Sequence, residues 1–224
     1  MGTDVRLGAM DGVFTVAGVR PARDGMTISR DAGLGSENTV TFFALGAGTS
    51  ISRERYDMTS MYIGALGEAV FLTGDDAGRQ SFLDGDMLIV PGGTLCGVES
   101  GSGAVYTEII IKKEINMNNL VKAGEVMKLK NLIQYEEGSI SNLDIVSNPT
   151  MKFVLMAFDE GTGLQPHRAP GNAIIFALEG KAVIGYEGKD YTISAGENFR
   201  FEKNGLHSVT AGGKFKMALL LVIE

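Results

Sequence analysis

Apolar residues in this chain come in runs of about four to eight, each bounded by Gly, Asp or Pro. VTFFAL, QSFLDGDMLIVPGG and VYTEIII are examples before residue 112; MKFVLMAF, AIIFALEG, KAVIGY, KDYTIS, ENFRF, LHSVTA and FKMALLLVI follow after residue 150. Such runs are rich in β-branched and aromatic residues, which predicts strands. SMYIGALGEAVFLTG predicts two strands reversing at Gly67. Residues 1–38 form a glycine-rich lead-in with strand candidates at Val13–Val16 and Met26–Ser29, suited to adding a strand to a neighbouring sheet. Helical patterning competes only in the join between the two sets, around Asn119–Val121 and Lys130–Tyr135.

MKFVLMAF and FKMALLLVI are apolar on both alternate faces. A strand of that kind is covered on both sides. One face would line a core; the other would meet the second half of the chain or a second copy of it.

The second half repeats the first. Placing Gly180 on Gly67 also places Gly161 on Gly48, an offset of 113 residues. After a two-residue gap, Gly196 falls on Gly85 and His207 on Cys96. Two diverged copies of one unit predict two domains of ordinary size. The boundaries are an N-terminal extension over 1–38, a first barrel over 39–111, a linker over 112–149 and a second barrel over 150–224.

Composition narrows the chemistry. The formal charge of −7 disfavours nucleic acid and anionic membranes as partners. No apolar run approaches a membrane span, and MGTDVRLGAM lacks a signal-peptide core. The single cysteine, Cys96, cannot form an internal disulfide and suits a reducing compartment. A cytoplasmic protein is the expectation.

Both histidines of the chain, His167 and His207, lie in the better-preserved copy. Gly161, His167 and Gly180 at their spacings, then Gly196 and His207, resemble the two motifs of the cupin superfamily. Gly48, Gly67, Gly85, Pro91 and Gly93 match them in the first half, so the chain looks like a bicupin. The resemblance implies an all-β fold of two tandem double-stranded β-helix (jelly-roll) barrels, paired within the chain as a pseudo-dimer and open to homodimerisation. It also implies four side chains, three His and one Glu, holding a divalent metal. The corresponding positions here are His167, Ala169, Ala173 and His207 in the second half, and Glu54, Tyr56, Ser60 and Cys96 in the first. Neither set is complete.

A first-row metal such as Zn, Mn, Fe or Ni would need a third donor. The candidates are Gln165, two residues before His167, and Glu202. Without metal, His167, His207, Gln165 and Asn172 would face a small polar ligand. The first half is expected to be structural or an accessory pocket, with Cys96 as a small buried apolar residue. Two functions follow: a binding module for a small polar metabolite, or a metal-dependent isomerase, decarboxylase or dioxygenase. No catalytic base can be named from the sequence.

Overall fold

The structure is a computed structural model that describes residues 10, 12–35 and 38–223. The lead-in holds β1 (Val13–Phe14), a single helical turn α1 (Val16–Val19) and β2 (Thr27–Asp31). The first strand set follows: β3 (Asn38–Leu45), β4 (Thr49–Arg55), β5 (Thr59–Thr73), β6 (Gly78–Leu83), β7 (Asp86–Val90), β8 (Leu95–Ser100) and β9 (Ala104–Ile111). The join carries β10 (Asn116–Met117), β11 (Met127–Lys128) and one 3-10 turn, Leu129–Asn131. The second set is β12 (Ile140–Asn148), β13 (Met151–Phe158), β14 (Gly163–Arg168), β15 (Asn172–Glu179), β16 (Lys181–Tyr186), β17 (Lys189–Ser194), β18 (Asn198–Phe201), β19 (Leu206–Ala211) and β20 (Phe215–Val222). The chain is all-β, as expected. No helix among the described residues is long and apolar enough to cross a membrane.

Every ladder is antiparallel. In the second half β18-β15-β20-β13-β12 form one wall and β14-β19-β16-β17 the facing wall. In the first half β7-β5-β9-β3-β2 form one wall, while β5 bends across to pair with β6 and β8 and closes the barrel. The copies exchange edges. β1 of the lead-in pairs with β18 of the second barrel, and β11 of the join pairs with β7 of the first. The otherwise bare edges of β18 and β7 are thereby covered. β12 also begins upstream of residue 150, so the second sheet starts earlier than the apolar pattern alone places it.

The two large walls stack face to face. Val40, Phe42, Met61 and Ile109 of the first barrel meet Phe153, Leu155, Ile174 and Leu220 of the second in one core. The opposite faces of β13 and β20 carry Met156, Phe158, Phe215 and Met217 into the second barrel's interior. This is the double coverage that MKFVLMAF and FKMALLLVI predict, and an interface within the chain accounts for it. Polar clips tie the lead-in down: Asn198 Oδ1 accepts from Val16 N–H at 3.2 Å, and Arg200 Nη1 donates to Ala32 O at 2.7 Å.

The reversal expected at Gly67 is not there. β5 runs through as one strand of 15 residues and turns a corner between walls. Gly67 is still required. Its φ is +74°, and a Cβ would sit 2.2 Å from Gly103 O. Gly180 repeats both features, with φ +76° and Lys214 O at 2.0 Å. Close backbone approach at a left-handed corner selects glycine at both places.

Candidate functional site

The register of β14 against β19 brings the two histidines together. Leu164 pairs with Val209 and His167 with His207, so Gln165 and Pro166 stand against Ser208 alone. This is a β-bulge, and it re-aims the strand at the barrel rim. The imidazole centroids are 4.3 Å apart with the rings tilted by 53°.

Each ring is oriented by the backbone just before it. His167 Nδ1 lies 2.8 Å from Gln165 O, and His207 Nδ1 lies 2.9 Å from Gly205 O. A carbonyl oxygen only accepts, so Nδ1 carries the proton in both rings. Nε2 is then the nitrogen left to a ligand, as a lone-pair acceptor. His207 is buried at 7% exposure and stacks on Phe201 at 4.1 Å. Burial holds its pKa below the usual imidazole value, and a charge on nearby His167 pushes the same way. His167 is exposed at the rim. A recess of about 260 Å³ opens beside His207, bounded by Pro166, Tyr186 and Asp190.

The other candidates are not brought to this pair. Asn172 is removed from it: Nδ2 donates to Leu34 O and Oδ1 accepts from Lys203 N–H, both at 2.8 Å. Its neighbour Ala173 takes the interior face, so Asn172 clips the lead-in to the second barrel instead. Glu202 is exposed and pairs with Arg200 Nε at 2.8 Å, while Phe201 beside it faces the interior. For Gln165, the bulge breaks the alternation that would put it on the face of His167. It orients His167 through its backbone carbonyl, and its side chain is exposed. Ala169 and Ala173 are buried, and Phe158, Phe199, Phe201 and Phe215 fill the interior behind them.

Among the described residues no group of three or more His, Cys, Asp or Glu could hold a metal. Two imidazoles fall short of the usual three protein donors. The residues present do not complete a metal set.

The first barrel repeats the geometry with different chemistry. Ile51 pairs with Val98 and Glu54 with Cys96, across the same bulge. Glu54 and Cys96 are thus the counterparts of His167 and His207, as the repeat offset implies. Tyr56 Oη donates to Glu54 at 3.4 Å, and Ser60 is buried where the second copy has Ala173. Cys96 is buried, and burial pushes its thiol up to about 11. It is a poor nucleophile at neutral pH.

Sequence reasoning missed Tyr62 and Glu108. They face each other across β5 and β9, where the second copy pairs Ile175 with Leu219. Burial raises the Glu108 carboxyl above the usual carboxylate range, although a bond to Tyr62 opposes it. Burial and then Glu108 raise the Tyr62 phenol. The available signal was one acid at the Tyr106 parity within VYTEIII, inside an otherwise apolar strand.

Residues 154–223 match the family described as "Cupin domain". That match lies within the second barrel. Among solved cupin structures the chain resembles a "Cupin 2 conserved barrel domain protein" from Leptotrichia buccalis. The identity is 22%, the match covers 96% of this chain and 100% of that one, and the TM-score is 0.83. It also resembles salicylate 1,2-dioxygenase from Pseudoaminobacter salicylatoxidans, at 11% identity, 98% and 83% coverage and a TM-score of 0.68. AerE from Microcystis aeruginosa is a third, at 12% identity, 88% and 98% coverage and a TM-score of 0.52. These likenesses are of fold. No curated protein matches this chain.

Proposed function

We propose that this chain is a bicupin binding module whose second barrel takes a small polar ligand at its rim, through His167 and His207. One observation carries the proposal: both Nδ1 atoms are tied to backbone carbonyls, which leaves Nε2 as the lone-pair acceptor on each of two adjacent imidazoles. A hydroxyl-bearing ligand would donate to them, with Phe201 bracing His207 from behind. The absence of a membrane-crossing helix among the described residues and the acidic charge suit a cytoplasmic role.

A thermal-shift screen of sugars and hydroxy acids tests this. A stabilising ligand in the wild type, lost in both His207→Ala and His167→Ala, is the expected result. No ligand, or one unaffected by either change, would refute it.

The competing function is a metal-dependent isomerase, decarboxylase or dioxygenase. The dioxygenase named above shares only the fold, which hosts unrelated activities. A divalent metal would have two imidazoles and no third His, Cys, Asp or Glu among the described residues. Elemental analysis after loading with Zn, Mn, Fe or Ni separates the two: stoichiometric metal lost in His167→Ala would favour the enzyme.

A further inference from the structure

A cleft lies between the barrels, and neither histidine lines it. It has a volume of about 240 Å³, and equivalent positions of the two copies line it: Ile63 with Phe176, Ala65 with Leu178, Gly85 with Gly196. It therefore sits on the pseudo-twofold relation of the repeat. Lys128 and Lys130 of the join reach in from one side.

The two copies differ there in one respect. In each, an acid caps the turn before a strand: Asp86 Oδ2 accepts from Leu83 N–H, and Glu197 Oε2 from Ser194 N–H, both at 2.7 Å. On the first copy's side the Lys128 ammonium completes the arrangement, 2.7 Å from Asp86 Oδ1 and 2.8 Å from Asp84 O. On the second copy's side, no ion pair among the described residues engages Glu197, and none engages Lys130. The chain supplies an ammonium to one half of a near-symmetric cleft and leaves the other half an uncompensated carboxylate. The Lys130 ammonium stands nearby, within electrostatic reach of the Asp84 carboxyl, and Ile63, Phe176 and Leu178 supply an apolar floor.

We propose that this inter-barrel cleft binds a small zwitterion of the α-amino-acid type with an apolar side chain. Its ammonium takes, at Glu197, the place that Lys128 takes at Asp86. Its carboxylate meets Lys130, and its side chain lies between Ile63 and Phe176. Both charges of the ligand find a partner in a partly enclosed site, where such pairs are worth more than in open water. The site is small, so the ligand is of single-residue size.

Isothermal titration calorimetry on the full chain tests the proposal with L-leucine and L-phenylalanine, against leucinamide and N-acetyl-leucine. Free amino acids bind, and each blocked analogue binds about tenfold or more weakly. Lys130→Gln and Glu197→Gln weaken binding similarly; the second keeps an acceptor for Ser194 N–H, so the turn survives. His207→Ala leaves binding unchanged, which separates this cleft from the barrel rim. No heat with either free amino acid at millimolar concentration would overturn the proposal. So would equal binding of the blocked analogues, or a loss in His207→Ala but not in Lys130→Gln.

Discussion

Glu108 stands directly across the β5–β9 ladder from Tyr62, inside the first barrel. Its carboxyl is raised by burial, so the folded state keeps its proton to higher pH than the unfolded chain does. As pH rises from the unfolded value near 4.3 to the folded one, the unfolded chain releases the proton first. Stability therefore falls across that window and stays reduced above it. Glu108→Gln is expected to raise the melting temperature at pH 7 to 8, with the gain shrinking toward pH 4. Thermal melts across that range check it; an unchanged or lower melting temperature at pH 8 would contradict the sign.

His207 has the opposite linkage. Burial, and then His167, lower its pKa in the fold. The unfolded chain binds the proton first as pH drops below about 6.5, so acid destabilises the fold until the lower folded value is passed. Histidine NMR titration should place His207 below the ordinary imidazole range, and His167→Ala should move it part of the way back. His207→Ala should cost about 1–3 kcal/mol by emptying the space against Phe201, whereas exposed His167→Ala should cost little.

Asn172 fastens the lead-in rather than a ligand. Asn172→Ala leaves Leu34 O and Lys203 N–H without their partner, at about 1–3 kcal/mol. Hydrogen exchange should quicken around Ala32–Leu34, and a ligand bound at the His167–His207 rim should keep its affinity. A loss of that affinity with unchanged exchange would return Asn172 to the site.

Gly67→Ala and Gly180→Ala each drive a Cβ against a carbonyl oxygen at a positive φ. Each change should cost on the order of 2–3 kcal/mol, measured by urea unfolding. Near-neutral substitutions would show that the corners relax.

Much of the fold was legible because strand burial has a period of two. The doubly apolar β13 and β20 announced an interface on each side, and the offset between copies aligned Cys96 with His207, whose strand partners Glu54 and His167 the structure then supplies. The corner at Gly67 was misread as a reversal, since a glycine between two apolar runs signals either. Gln165 was assigned to the face of His167 by strand alternation, and Asn172 was added as a further polar candidate. A bulge and one interior-facing alanine were enough to turn them elsewhere.

The amino-acid order predicted the all-β character and the internal repeat, because each depends on spacing within or between strands, while the convergence of His167 and His207 was expected from the resemblance to cupins. The exchange of β1 and β11 between barrels, the meeting of Tyr62 with the half-buried Glu108 and the cleft lined by equivalent positions of the two copies were decided only on folding. Each joins groups far apart in sequence, and which groups meet is set by how two curled sheets stack, a relation that no local periodicity encodes.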